Sequence, residues 1–250
     1  MSDDHSGAVV EQQAQPPDGP GRALHIAVVL LVAASGAVET VSFLGLDHVF
    51  AGVMTSNLAL LGMAAGRGEA VDVTAAVLAL AGFSVGALIV ARCTRGRPVP
   101  TTHWHRSVML FLCAEAALLA VGALVWGLSS GTPGSALRDV LQFGAGLAMG
   151  AQSGAMVAAG RAAAPTTYLT GTLATHIAKG VSTGNPGTWV PLRFAGLIAG
   201  AAVSAVLLEE ARPWAALPPV LLILCAIGSA CVPLVARRPG STALSSGHAP

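Results

Sequence analysis

The sequence predicts an all-α polytopic membrane protein with six transmembrane helices, arranged as two inverted three-helix repeats that each carry a short re-entrant half-helix. Three observations support this: little charge, six apolar stretches of membrane-spanning length, and an internal similarity at one spacing. Charged residues make up 10% of the 250 residues and hydrophobic residues 54%, with a mean hydropathy of +0.70. Soluble domains average about 25% charged residues. The composition therefore excludes an ordinary soluble enzyme, and its hydrophobicity excludes a disordered chain.

Spanning a hydrocarbon core of about 30 Å takes roughly 20 apolar residues in a helix. Six stretches meet this requirement, and charged or Pro/Gly-rich connections separate them. In chain order they are Leu24–Leu46, Val73–Ala91, Val108–Leu128, Leu137–Ala159, Val190–Leu208 and Trp214–Ala236. They define a transmembrane domain over 24–236, with repeat one over 24–128 and repeat two over 137–236. The polar ends, 1–23 and 237–250, are predicted to be disordered tails.

Two further apolar stretches, 49–66 and 166–180, have a threonine-rich centre followed by an apolar, helix-like half. The basic residues indicate whether these stretches cross, because Lys and Arg accumulate on the cytoplasmic side of a membrane. With six crossings and both termini inside, ten of the 13 basic residues lie inside, whereas with eight crossings only six do. The sequence therefore predicts that both stretches are re-entrant and that both termini are cytoplasmic.

The chain also repeats itself. Residues 81–87 and 195–201 share the pattern A-G-x-x-x-G-A at a spacing of 114 residues. Similar spacings relate residues in the other elements: 114 for Gly36 with Gly150 and Gly66 with Gly180, and 115 for Thr55 with Thr170. Three crossings per half is an odd number, so the halves must have opposite orientations. This inverted-repeat arrangement is common in transporters.

Several motifs resemble those of a known family. They are Gly36 and Glu39 with Phe50 and residues 54–57, similar to G-x-x-D … F … T-G-N, and residues 148–152 with 166–173, similar to G-x-Q-N and T-T-x-x-T-G-T. In this chain Glu39 stands at the acid position, Ser56 at a glycine position and Ser153 at an asparagine position. From about Leu24 to Ala236 the sequence resembles the YoaK-like family of bacterial integral membrane proteins, domain of unknown function 1275. The resemblance implies a location in the bacterial inner (plasma) membrane, and it implies no biochemical activity.

The threonine-rich centres contain the first candidate site residues. Thr55 or Ser56, and Thr170 or Thr172, suit the N-caps of two half-helices whose backbone donors have no water at that depth. Because the halves are inverted, both N-termini would meet near the bilayer centre, with their partial positive charges directed at a bound group. The alternative is that these hydroxyls only bond to their own or neighbouring helices.

Two carboxylates and two amides complete the candidate site. Glu39 and Glu115 lie within predicted spanning helices, where a charge costs at least about 2.5 kcal/mol. Either can bind a cation or exchange a proton, and either can instead neutralise a half-helix N-terminus or donate a hydrogen bond while protonated. Asn57 follows the first threonine motif. Gln152, near the middle of the fourth helix, is the last candidate, and an inter-helix hydrogen bond is the simpler explanation of it.

No catalytic, metal or cofactor site is predicted. The apolar segments contain no paired aspartates, G-x-S-x-G nucleophile elbow or H-E-x-x-H zinc motif, which disfavours an enzyme. The cysteines form no C-x-x-C pair. His103 and His105 lack an acid or a cysteine nearby, which favours an anchor at the membrane interface over a metal site. The net charge of +1 gives no reason to expect nucleic acid as a partner, and the oligomeric state stays open.

These features favour a permease, transporter or channel for a small solute, an ion or a proton, with a central site between the two half-helix N-termini. The alternative is a non-transporting membrane scaffold or regulator whose polar groups only hold helices together. The charge of the substrate stays open, because helix N-termini favour anions while carboxylates favour cations or protons. Glycines recurring every four residues on the second, fourth and fifth helices predict close helix packing.

Overall fold

The computed structural model describes residues 21–67, 73–97, 103–160, 165–167, 169–183 and 188–236. Within these ranges it contains eight helices and no strand. The helices are α1 (Arg22–Thr40), α2 (Met54–Arg67), α3 (Val73–Thr94), α4 (Arg106–Leu128), α5 (Ser135–Ala159), α6 (Thr170–Thr183), α7 (Trp189–Glu210) and α8 (Leu217–Ala236). A π-helical turn, Val41–Gly45, continues α1, and a 3-10 turn, Arg212–Trp214, precedes α8.

The predicted tails lie almost wholly outside the described residues, which include only 21–23 of them. Arg22 and Ala23, which the sequence assigns to the first tail, belong to α1. The C-terminal tail, 237–250, lies entirely outside the described part of the chain.

All six stretches predicted to cross a membrane are helical. Among the described residues, five helices are both long and apolar enough to cross, counting the short turns with α1 and α8. The sixth, α5, is the longest at 25 residues, and at 1.5 Å per residue it rises about 37 Å. It is less apolar because Arg138, Asp139, Gln142 and Gln152 lie on it. The architecture is that of a membrane-embedded helical protein.

Two helix pairs, α1 with α7 and α3 with α5, approach each other backbone to backbone at glycines. A Cβ atom added to any of these glycines would meet a carbonyl oxygen of the partner helix. The contacts are Gly196 with Val29 and Gly200 with Ala33 in the first pair, and Gly82 with Phe143 and Gly86 with Leu147 in the second. In both pairs the residue numbers rise together, so the paired helices run parallel. The predicted role of the four-residue glycine spacing in close packing is confirmed.

Two apolar clusters at opposite ends of the bundle establish the directions of the other helices. One joins the first halves of α1 and α4 to the second halves of α5 and α8, and contains Leu24, Val108, Met156 and Ala230. The other joins the ends of α1, α4 and α7 to the start of α8, through Leu46, Trp126, Leu208 and Ala215. At that second end, Arg138 at the start of α5 forms an ion pair of 2.9 Å with Asp47. Helices α1, α4 and α7 therefore run one way, and α3, α5 and α8 run the other.

The two short helices differ from these six in length. Each has 14 residues, so each rises about 21 Å, which is less than the hydrocarbon core of about 30 Å. A non-helical segment precedes each of them. Met54 and Leu61 of α2 pack beside the first turns of α3, against Ala75, Ala76 and Ala79. Helix α6 packs against α7.

Candidate functional site

Glu39 holds the non-helical segment that leads into α2. After the π-helical turn the chain reverses direction, and residues 49–53 run back along α1. The Ala51 amide donates to Glu39 Oε2 at 2.9 Å, and the Gly52 amide donates to Glu39 Oε1 at 2.7 Å. A side chain at position 52 would collide with Glu39 Oε1, so glycine there permits this approach. One carboxylate thus satisfies two backbone donors that have no helical partner.

Asn57 and Ser42 secure the same segment from either side. Asn57 is fully buried, and its side chain accepts a hydrogen bond from the Phe50 amide at 3.0 Å and donates to the Phe50 carbonyl at 2.6 Å. Ser42 Oγ lies 2.5 Å from the carbonyl oxygen of Val49 and 3.0 Å from Gln142 Oε1. These contacts make Asn57 a positioning residue that fixes the entry to α2.

A related set of contacts holds the segment before α6. Gln152 Nε2 donates to Thr166 Oγ1 at 2.8 Å, and Ser153 Oγ bonds to Thr167 Oγ1 at 2.5 Å. All four side chains are buried. In each half, therefore, polar side chains of a long helix bind the non-helical segment that precedes the short helix, using a carboxylate in the first half and an amide and hydroxyls in the second.

The two short helices begin at one cavity, which we name the central cavity. Its volume is about 620 Å³, and it lies between α1, α7 and the two non-helical segments. Its polar lining consists of Ser35, Glu39, Thr40, Thr55, Thr166, Thr167 and Thr170. Glu39 is the one ionisable side chain in this described lining. The cavity thus presents hydroxyl groups, one carboxylate and the first turns of α2 and α6 to any molecule inside it.

The structure brings together only some of the predicted site residues. Glu39, Thr55 and Thr170 line the central cavity. Asn57 and Gln152 lie behind its wall, where they hold the segments that form it. Ser56 is not part of the cavity lining, and Thr172 faces a different cavity between α6 and α7. Glu115 lies in a third cavity, described below.

The predicted N-cap residues do not precede the short helices. Helix α2 begins at Met54 and α6 at Thr170, so Thr55, Ser56 and Thr172 lie within the first turns. The residues before the helices are apolar: the Val53 carbonyl accepts from the Ser56 and Asn57 amides, and the Leu169 carbonyl accepts from the Leu173 amide. The N-cap prediction was wrong because the helices start one to three residues earlier than the hydroxyl motifs indicate.

Glu115 is buried away from the central cavity. It lies on α4 beside a small apolar cavity of about 180 Å³ lined by residues of α3, α4 and α5, including Gly86, Phe111 and Ala148. The residue is 2% exposed, and neither carboxyl oxygen has a hydrogen-bond partner among the described residues. A buried polar group without a partner is destabilising in either protonation state.

We therefore expect Glu115→Met to stabilise the protein by about 2 kcal/mol, because it removes a polar group from an apolar site while nearly conserving its volume. The free energy of unfolding in detergent micelles measures this effect. Solute flux in proteoliposomes should stay at the wild-type level. A loss of stability would show that Glu115 has a bonding partner, and a loss of flux would assign it to the transport site.

Sequence reasoning missed several polar residues of this region. Ser35, Thr40, Thr166 and Thr167 line the central cavity, and Ser153 bonds to Thr167. Thr166 and Thr167 belong to the second threonine motif, so the motif itself contained the signal. Thr40 belongs to no motif in the sequence. In the structure its hydroxyl also donates to the Gly36 carbonyl of its own helix. Phe43 and Phe50, whose rings stack at 4.7 Å, complete the apolar wall beside Glu39.

The fold and the site together define a polytopic helical membrane protein with a polar cavity at the first turns of two short helices. The chain belongs to the family described as "Protein of unknown function (DUF1275)", whose model matches residues 27–229. It is 35% identical over 145 residues to the UPF0700 transmembrane protein YoaK of Bacillus subtilis. That match covers 58% of this chain and 62% of the relative's length. No solved structure matches the chain.

Proposed function

We propose that the protein is a permease or channel that conducts a small polar solute or ion across the bacterial inner membrane through the central cavity. The observation that carries this proposal is the meeting of Thr55 at the start of α2, Thr170 at the start of α6 and Glu39 at one cavity of about 620 Å³. Helix starts and an intramembrane carboxylate at one site are typical of substrate and coupling-ion sites in transporters.

We further propose that six helices cross the membrane as two inverted repeats. The glycine contacts support this, because the contacts between α1 and α7 recur between α5 and α3. Adding 114 to each α1 residue number gives the α5 residue, and subtracting 114 from each α7 residue number gives the α3 residue. The equivalent contacts are Gly36–Leu197 with Gly150–Phe83, Gly196–Val29 with Gly82–Phe143, and Gly200–Ala33 with Gly86–Leu147. The contacts of Glu39 with Gly52 and of Ser153 with Thr167 correspond in the same way, to within one residue.

The helix directions support re-entrant α2 and α6. Helices α1 and α4 run the same way, as they must if only α3 crosses between them, and α5 and α7 run in opposite directions, as they must if α6 does not cross. With this topology and cytoplasmic termini, ten of the 13 basic residues lie inside. Eight crossings would instead require α1 and α4 to be antiparallel.

The charges at the central cavity support a small polar substrate. An ionised Glu39 contributes one negative charge, and each helix N-terminus contributes about half a positive charge, so the three nearly cancel. A cavity with almost no net charge favours a substrate that hydrogen-bonds to hydroxyl groups over a substrate that is held by its own net charge. Thr40, Thr55, Thr166, Thr167 and Thr170 provide those hydroxyl groups.

Flux measurements in proteoliposomes test the proposal. Osmotic swelling with a panel of small neutral solutes, and ion-sensitive dyes for protons and alkali cations, should detect at least one permeant species. For that species we expect Glu39→Gln and Thr170→Val each to reduce flux about tenfold, the effect of one lost hydrogen bond to the passing solute. Thr132→Val, at an exposed loop position, is the matched control and should leave flux unchanged. Unchanged flux in both cavity variants would refute the proposal.

Cysteine labelling separates transport from the scaffold alternative. In a background with Cys93, Cys113, Cys225 and Cys231 replaced, Thr55→Cys and Thr170→Cys should react with a small water-soluble thiol reagent because a conducting cavity is hydrated. Ala148→Cys, at a fully buried position, should not react. If the protein is a scaffold whose polar groups only hold helices together, none of the three cysteines should react.

A further inference from the structure

A second polar cavity lies between α6 and α7, and we name it the basic cleft. Its volume is about 550 Å³. It is distinct from the central cavity: Pro165 and Thr172 line the basic cleft, whereas Thr166 and Thr170 line the central cavity. The inference below rests on the proposed topology, which puts the basic cleft near the cytoplasmic surface, and does not depend on transport through the central cavity.

Nitrogen-bearing side chains from two helices converge on the basic cleft. Thr172, Thr175, His176 and Lys179 are spaced three, four and seven residues apart on α6, so they share one face of that helix, and Arg193 faces them from α7. The described lining contains no acidic side chain. Lysine and arginine provide fixed positive charge, and the histidine ring provides at least one further N–H donor.

Arg193, on α7, lines the cleft with a guanidinium whose donors are not all bonded within the described residues. Its Nε is buried and has no hydrogen-bond partner among the described residues. A buried donor without an acceptor is destabilising, and most such groups in folded proteins have a partner. A guanidinium presents paired donors that match the oxygens of a phosphate or a carboxylate. Because Arg193 lines the cleft, its guanidinium can offer such donors to an anionic oxygen there.

We propose that the basic cleft binds a phosphate-bearing anion, with Arg193 as the paired donor and Lys179 and His176 as the supporting contacts. Basic pockets among membrane helices near the cytoplasmic surface bind phospholipid headgroups, and free phosphate offers the same oxygens. The two helices that form the cleft favour the lipid as the source: Ile177 and Val181 on α6 and Leu192 on α7 are 57%, 85% and 47% exposed, so acyl chains can lie against them.

Two ligand arms distinguish the sources. Purified full-length protein in detergent is titrated with phosphatidylglycerol, with phosphatidylcholine as the zwitterionic control, and separately with inorganic phosphate. Native mass spectrometry counts retained lipid, and thermal unfolding reports both ligands. We expect phosphatidylglycerol to bind and to raise the melting temperature, with little effect of phosphatidylcholine. Stabilisation by inorganic phosphate alone would assign the cleft to free phosphate, and binding of neither anion would overturn the proposal.

Variants locate the binding. Lys179→Gln with Arg193→Gln should weaken phosphatidylglycerol binding about tenfold or more, whereas Arg92→Gln with Arg95→Gln, which removes two positive charges outside the cleft, should have little effect. If the double cleft variant does not fold, Lys179→Gln alone, on an exposed helix face, provides the test with a smaller expected loss. Wild-type affinity in a folded cleft variant, or equal losses in the cleft and control variants, would refute the assignment.

Discussion

Replacing Gly150 with leucine is expected to prevent correct folding. At this position α5 contacts α3 so closely that even a Cβ atom would collide with the backbone of Phe83, and Gly82→Leu would meet the backbone of Phe143 in the same way. Overpacking typically costs about 1–3 kcal/mol when side chains can shift, and here the obstacle is backbone, so we expect about 3 kcal/mol or more. Size-exclusion profiles and thermal unfolding of the purified protein measure the effect.

Gly144→Leu is the matched control, since it introduces the same side chain six residues away on the same helix. No atom lies within 4 Å of a Cβ placed at Gly144, so this variant should fold and elute like the wild type. Gly36→Leu, in the equivalent contact of α1 with α7, should be as damaging as Gly150→Leu. A monodisperse Gly150→Leu protein with wild-type melting behaviour would contradict the packing described here.

The helices could be predicted closely because their cause is local. Each long helix corresponds to an apolar run bounded by charge, Pro or Gly, and α3 extends its run by only three residues, Arg92 to Thr94. The glycine pattern on α3 and α7 could be interpreted as a packing surface because a helix repeats about every 3.6 residues. Which helix each surface contacts could not be predicted, since the pairing of α1 with α7 joins residues more than 160 positions apart.

The candidate site was predicted only in part, for geometric reasons. Thr170 and Thr172 are two residues apart on α6, so their side chains differ by about 200° around the helix and face different cavities. The two intramembrane carboxylates looked alike in sequence. Glu39 meets two backbone amides because the chain reverses beside it, whereas Glu115 faces apolar side chains of α3 and α5. Such differences arise from tertiary contacts that no residue spacing encodes.

Replacing Glu39 with methionine is expected to destabilise the protein by about 2 kcal/mol. Hydrogen bonds to a carboxylate contribute about 1.5–3 kcal/mol each, and Glu39 accepts two of them, from Ala51 and Gly52. Removing a charge from the membrane interior returns at least about 2.5 kcal/mol, which offsets part of the loss but not all of it. The free energy of unfolding in detergent micelles measures the net effect, and osmotic swelling should report lost flux.

Comparison with two other variants makes this prediction specific. Glu39→Gln keeps one acceptor oxygen, so the free energy of unfolding of this variant should lie between the values for the wild type and for Glu39→Met. Glu115→Met makes the same chemical change in a second spanning helix, but there it removes no hydrogen bond among the described residues, so the change in stability should have the opposite sign. If both methionine variants changed stability in the same direction, the two backbone amides would not be what retains a carboxylate at position 39.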